Sequence, residues 1–221
     1  MKAFLLTVIL ATITAAGASQ SLPGFKSSGQ FDEQQTVIEN SVAGTRVLIN
    51  APMTGFGTDD HVLLVLYALP NGNTIEQTFG KLLKEDDDWH YDIQHIGAQT
   101  RFLRRVITDR TVVVAYLENE QRSWPAWSAN TPGHTEIVKK MVDEITSLFA
   151  PWNPELVLNG HSGGGRFIFN YIDAHEQIPG CVVRIAFLDS NYGWEGERYG
   201  PKIVSWLRSG KSRYLCTLAY N

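Results

Sequence analysis

A serine hydroxyl attacks a carbonyl only when it stands clear of the backbone and a neighbouring base can take its proton. The string Gly160-His161-Ser162-Gly163-Gly164 has the composition for the first of these. The residues two before and two after Ser162 carry no side chain, so the chain can turn sharply around the serine without crowding. Residues 156–159 read as a β-run feeding into that turn, and residues 166–172 as an apolar helix leaving it. Gly165 would let the helix approach a sheet closely. The helix start behind Ser162 would also present free N–H groups and a positive dipole end. The string alone is a modest signal, with an inert glycine-rich turn as its plain alternative; the flanking strand and helix strengthen it.

Such a turn needs a sheet to stand on. Residues 36–38 and 46–49 are short β-type runs separated by Ala43-Gly44, a plausible antiparallel pair. Residues 61–68 form a continuous apolar run, as in a strand buried on both faces, and Pro70-Asn71-Gly72-Asn73 ends it. Asp92 is placed to cap a helix with Ile93, Ile96, Phe102, Leu103 and Val106 along one side and Arg104 and Arg105 in its last turns. A strand follows at 111–117. The apolar positions from Ile137 to Phe149 then recur at helical spacing, closed by Pro151 and Pro154. Further strands are expected at 182–188 and 213–220, with a helix around 203–207. Strand–helix alternation of this kind predicts an α/β domain, a mostly parallel, doubly wound sheet flanked by helices.

The first residues read differently. Lys2, the apolar and small stretch 3–16 and the small residues Ala16-Gly17-Ala18 make a signal-peptide pattern over 1–18. The run is shorter than the roughly 20 apolar residues that span a bilayer, so no membrane span is expected after cleavage and the protein is expected to be secreted or periplasmic. Residues 19–35, rich in Ser, Gly and Gln, read as a flexible leader to one domain over 36–221. A net charge of −4 without a basic run argues against nucleic acid as a partner. Cys181 and Cys216 fall on two successive expected strands and read as buried small apolar residues rather than a disulfide, and no zinc-type spacing occurs.

With its Gly-His-Ser-Gly-Gly turn and this strand order, the chain over residues 36–221 resembles the α/β-hydrolase superfamily, most of all its secreted bacterial esterase- and lipase-like members. The resemblance implies a serine hydrolase acting on a small-molecule ester or amide through an acyl-enzyme on Ser162, with no metal or organic cofactor. It places the oxyanion donors at the Gly163 N–H and in the loop after the 61–68 strand, at Asn71, Gly72 or Asn73. That loop lacks the His-Gly-Gly-Gly string of many lipases, and an ordinary Asn-Gly turn is its alternative.

The superfamily's triad runs serine, acid, histidine along the chain. Most members carry the acid after the strand that here falls at 213–220, which would put it beyond Asn221, and a minority one strand earlier; Asp189, directly after the 182–188 strand, is the candidate acid in the second case, its alternative being a turn-capping residue. No histidine follows His175, so the fold is expected to be incomplete at its C-terminus, with the final strand and the histidine loop beyond Asn221; a complete protein that has lost catalysis is the competing explanation. His161 adjoins Ser162 on an elbow whose neighbours point apart, and is kept only as a weak substrate contact. His61, His90, His95 and His134 carry no stronger case for the base. Trp124-Pro125-Ala126-Trp127 follows the 111–117 strand, so Trp124 and Trp127 could wall a substrate pocket or simply pin a loop to the body. From another class, a non-catalytic binding module of the same fold stays open, as does a serine peptidase.

Overall fold

The computed structural model describes residues 20–42, 44–82, 84–86 and 95–219. Runs that are apolar on both sides must be strands covered on both faces, and three of them make the middle of the sheet: β4 (Val62–Ala68), β5 (Thr111–Asn119) and β6 (Glu155–His161). Around them lie β1 (Lys26–Ser27), β2 (Glu33–Glu39), β3 (Thr45–Pro52), β7 (Val182–Leu188) and β8 (Tyr214–Leu218). The order across the sheet is β1-β2-β3-β5-β4-β6-β7-β8. From β1 to β5 the neighbours pair antiparallel, with Val37 opposite Leu48 as the sequence pattern implies; from β5 to β8 they pair parallel.

Among the described residues six α-helices join the strands: α1 (Ile75–Phe79), α2 (Ile96–Val106), α3 (Trp124–Asn130), α4 (His134–Ser147), α5 (Gly165–Asp173) and α6 (Gly196–Arg208). The chain leaves β4 towards β5 on one side, but from β5 onward it steps the other way, to β6, β7 and β8. Right-handed crossovers in opposite directions put their helices on opposite faces. Hence Ile75 and Ile96, from α1 and α2, pack with the smaller apolar cluster on one face, while residues of α3 to α6 belong to the main core on the other. The reversal falls between β4 and β6, where loops on opposite faces part and leave a crevice at the strand C-termini.

Several expectations are corrected. The 19–35 segment is not a loose leader from Gln20 on: Leu22 is in the core, its N–H bonds Gln34 Oε1 at 2.7 Å, and Glu33 begins β2. On α2 the buried positions are Gly97 and Thr100, while Phe102, Leu103 and Val106 face out. Arg101 and Arg104 reach a buried Glu33, and that contact decides which side of the helix turns inward. Asp92 and Ile93 lie outside the described residues, as does the signal-peptide segment. Cys181 and Cys216 are exposed free thiols rather than core residues. Cys216 is registered beside Ala186, five residues along from Cys181, about 16 Å at strand rise and well beyond the reach of a disulfide. Among the described residues no helix is long and apolar enough to cross a membrane.

Candidate active site

Ser162 sits where β6 stops and a single 3-10 turn, Ser162–Gly164, leads into α5. Its φ is +49°, in the left-handed region that a residue with a Cβ occupies only under constraint. Packing around the glycines supplies that constraint. A Cβ on Gly160 would lie 2.8 Å from the Gly164 carbonyl carbon and oxygen. One on Gly164 would overlap the Ala68 carbonyl at the end of β4, and one on Gly165 the Ser190 carbonyl after β7. The turn is therefore wedged between the ends of two neighbouring strands, at the crevice the topology predicts. Ser162 and His161 are half-buried, whereas Gly163 and Gly164 are fully covered.

Of the loop after β4, Asn71 reaches the turn beside the serine. The Asn71 carboxamide lies against Gly163 so closely that a Cβ there would overlap it. Gly72 takes φ +81° and its N–H is already bonded to the Arg122 carbonyl at 2.8 Å, so the expectation of Gly72 as an oxyanion donor is corrected. Asn73 is buried, and its N–H is turned to the Pro70 carbonyl. The loop is anchored behind by a capping box at Thr74: Gln77 N–H bonds Thr74 Oγ1 at 3.2 Å and Thr74 N–H bonds Gln77 Oε1 at 2.9 Å.

Asp189 follows β7 at φ +46°, its N–H held by the Leu218 carbonyl of β8 at 2.6 Å. It shares an open hollow of about 490 Å³ with His161, Leu188, Thr217, Leu218 and Ala219. Burial pushes the His161 imidazole below its ordinary value, and the Asp189 charge pulls the other way. His161 and Asp189 thus face the same hollow, one residue from the serine. Ser190 ties the loop down, its Oγ donating to the Gly160 carbonyl at 2.7 Å. A larger hollow, about 560 Å³ and lined by Asp143, Ser147 and Cys181 among others, opens beside the start of β6, at the opposite edge of the sheet.

The tryptophans do something else. Trp124 and Trp127 lie on α3, not on a loop, and both rings are buried, 5.4 Å apart and edge to face, with Trp124 also 4.9 Å from Phe167 of α5. The pocket-wall expectation is corrected: they clamp α3 to the elbow helix. Nor does any described histidine ring hydrogen-bond the Ser162 hydroxyl. His134 and His175 bond the carbonyls of Thr131 and Tyr171, His95 stands at the α2 N-cap, and His61 precedes β4 at the far edge of the sheet. His90 lies outside the described residues. The exposed Tyr192 and Trp194, on the loop that Asp189 begins, were missed by the sequence reading. Two aromatics set among Asn191, Gly193 and Glu195 directly after a strand were the available signal.

This sheet order, with the strained serine after β6 and helices on both faces, is the α/β-hydrolase fold. No family model and no curated protein sequence matches the chain. Among solved structures it is similar to the feruloyl esterase module from Clostridium thermocellum complexed with sinapinate, at 11% identity over 91% of this chain and 73% of that one, with a TM-score of 0.50. It also aligns with a cold-adapted esterase from an Arctic intertidal metagenomic library, at 10% identity over 74% of this chain, with a TM-score of 0.42. The chain spans 60% of the length of that esterase. Identities this low speak for the fold alone.

Proposed function

We propose that the protein is an exported serine hydrolase that cleaves a carboxylic ester, or an amide, through an acyl-enzyme on Ser162. The observation that carries this reading is the left-handed Ser162 at the strand–helix break, with Asn71 packed on Gly163. The hydroxyl attacks the substrate carbonyl, its proton passes to a base, and the alcohol leaves once protonated; water then repeats the sequence on the acyl group. The Gly163 N–H and the Asn71 loop stabilise the negative charge on the attacked oxygen. Asp189 is the acid that orients the base.

The base in this reading is a histidine brought over the hollow lined by His161, Asp189 and Thr217. A fluorophosphonate should label the protein, and Ser162→Ala should abolish the label. Label that persists in Ser162→Ala removes Ser162 from the site. No label in either form favours a non-catalytic binding module, the reading to which the lack of a described histidine on Ser162 lends weight.

A further inference from the structure

Negative charge developing on a carbonyl oxygen needs converging donors beside the serine, and the backbone of the loop after β4 has little to offer. The Leu69 N–H is bonded to the Leu117 carbonyl at 3.2 Å, Pro70 has no N–H, and the Gly72 N–H goes to the Arg122 carbonyl. The Asn73 N–H turns back on Pro70. Among the described residues, that leaves Asn71 as the one position from 69 to 73 whose N–H meets no carbonyl. Its side chain is what reaches the turn. A Cβ on Gly163 would overlap Asn71 Oδ1 and come within 2.9 Å of Nδ2, so the carboxamide fills the place where the residue after Ser162 would carry a side chain. Gly163 is covered while Asn71 is exposed, so the amide lies over the turn and stays open to a ligand.

The amide is also held in place. The Gly72 N–H belongs to the peptide plane that follows Asn71, so its 2.8 Å bond to Arg122 fixes the direction in which Asn71 carries its side chain. Arg122 presents that carbonyl at φ +47°, from a tight turn closed by the buried Asn119. Asn119 Oδ1 accepts from the Gln121 N–H at 3.1 Å and from the Ser123 N–H at 3.2 Å.

We infer that the second oxyanion donor is the Asn71 side chain, through Nδ2, rather than the backbone of its loop, and that Asn119 is the residue that positions it. The inference deepens the reading of Ser162 as nucleophile and rests on it. As the bond from Ser162 Oγ to the carbonyl carbon forms, the π pair moves onto the carbonyl oxygen. There the Gly163 N–H, which has no partner within its own helical turn, and an Asn71 Nδ2–H meet it. When the tetrahedral carbon collapses, the pair returns, the bond to the alcohol oxygen breaks, and both donors are left unchanged. A side-chain donor, unlike a backbone one, can be removed by substitution.

The test compares p-nitrophenyl acetate turnover in the wild type, Asn71→Ala and Asn71→Asp, alongside fluorophosphonate labelling and urea unfolding. Asn71→Ala keeps the backbone N–H and removes the amide, so kcat should fall about a hundredfold with KM within about threefold. Asn71→Asp has the same shape but only acceptors, and should fall at least as far. Unfolding midpoints should not move, because the residue is exposed. The wild type should favour the ester over its thiono analogue, whose carbonyl sulfur is a poor acceptor. Asn71→Ala should lose about tenfold or more of that preference, which a loss of packing alone would leave intact. Asn119→Ala should lower kcat about tenfold and add nothing to Asn71→Ala, while Asn119→Asp, which keeps an acceptor oxygen, should restore the rate. Either Asn71 variant turning over within about threefold of the wild type, or an unchanged thiono preference, would overturn the side-chain donor. Full additivity of Asn119→Ala with Asn71→Ala would overturn the positioning role. A wild type without label or turnover overturns the Ser162 reading and the donor with it, whereas a labelled wild type with fully active Asn71 variants overturns the donor alone.

Discussion

The two ends of the sheet are finished in opposite ways. At the β2–β3 end a buried carboxylate gathers the chain: Glu33 accepts from Arg101 Nε and Nη2, both at 3.0 Å, from Arg104 Nη1 at 2.8 Å and from Asn50 Nδ2 at 3.1 Å. Arg104 also donates to the carbonyls of Val112 and Asn50, and Arg101 lies 3.8 Å over the Phe31 ring. Burial draws the Arg104 guanidinium down to about 10, with Glu33 opposing, so it is still charged at neutral pH. At the β8 end the described residues form no such knot. Tyr214 to Leu218 are exposed throughout, and an apolar groove of about 430 Å³ runs along the sheet between Leu103 of α2 and Leu215 of β8. The serine sits between the two. One wall of its surroundings, Asn71 on Gly163, belongs to the closed half; the other, Asp189 hung on Leu218, belongs to the open half. Ser162 is thus set by backbone packing in the middle, and Asp189 by its bond to β8.

The comparison breaks first at Glu33. Removing one partner of a buried ion cluster leaves the other charge unpaired, which costs about 3–5 kcal/mol. Glu33→Ala is expected to lose that much in urea unfolding, because Arg104 and Arg101 would keep their charges beneath β2. A loss below about 1 kcal/mol would mean that this end is held by apolar contacts and that the polar knot is incidental.

Next in size is a pair of matched truncations on neighbouring strands. Ile185 of β7 is fully buried, and Ile185→Ala should cost about 2–5 kcal/mol through lost transfer and a cavity. Leu215, its registered neighbour on β8, is 39% exposed, and Leu215→Ala should stay near about 0.5 kcal/mol. Equal losses, measured by the same unfolding curves, would show that something covers β8 in solution and that the two ends are alike.

The contrast also explains what could be read from the sequence. The middle strands were legible because burial on both faces makes them apolar throughout, and the turn at Ser162 because its glycines answer to backbone collisions. The α2 face was misread because periodicity counts Phe102, Leu103 and Val106 but cannot see that Glu33, about seventy residues earlier, pulls Arg101 and Arg104 inward. Cys216 was misread because cysteine is usually found buried, whereas β8 is exposed. Two short helices left signals that went unused: Thr74 with Gln77 is a capping box, and Ser123 caps α3 ahead of Pro125 in its first turn. Which residue of the 70–73 loop meets Gly163 was not legible, since it depends on where the Gly72 N–H goes.

The smallest effect concerns the ring that joins the two halves. Burial lowers the His161 pKa below that of the unfolded chain, while Asp189 partly offsets the burial. The unfolded ring takes up a proton near its ordinary value of about 6.5, where the folded ring still resists it. Unfolding is therefore favoured as pH falls below about 6.5, and the loss levels off once the folded ring is protonated as well. The informative quantity is a difference between variants. The urea midpoint should drop more between pH 7.5 and 5.5 in the wild type than in His161→Gln. Adding Asp189→Asn to the wild type should steepen the drop, because the charge that favours the imidazolium is then gone. An identical drop in all three proteins would show that His161 is solvated as freely as the β8 residues beside it, which would place it wholly on the open side of the molecule.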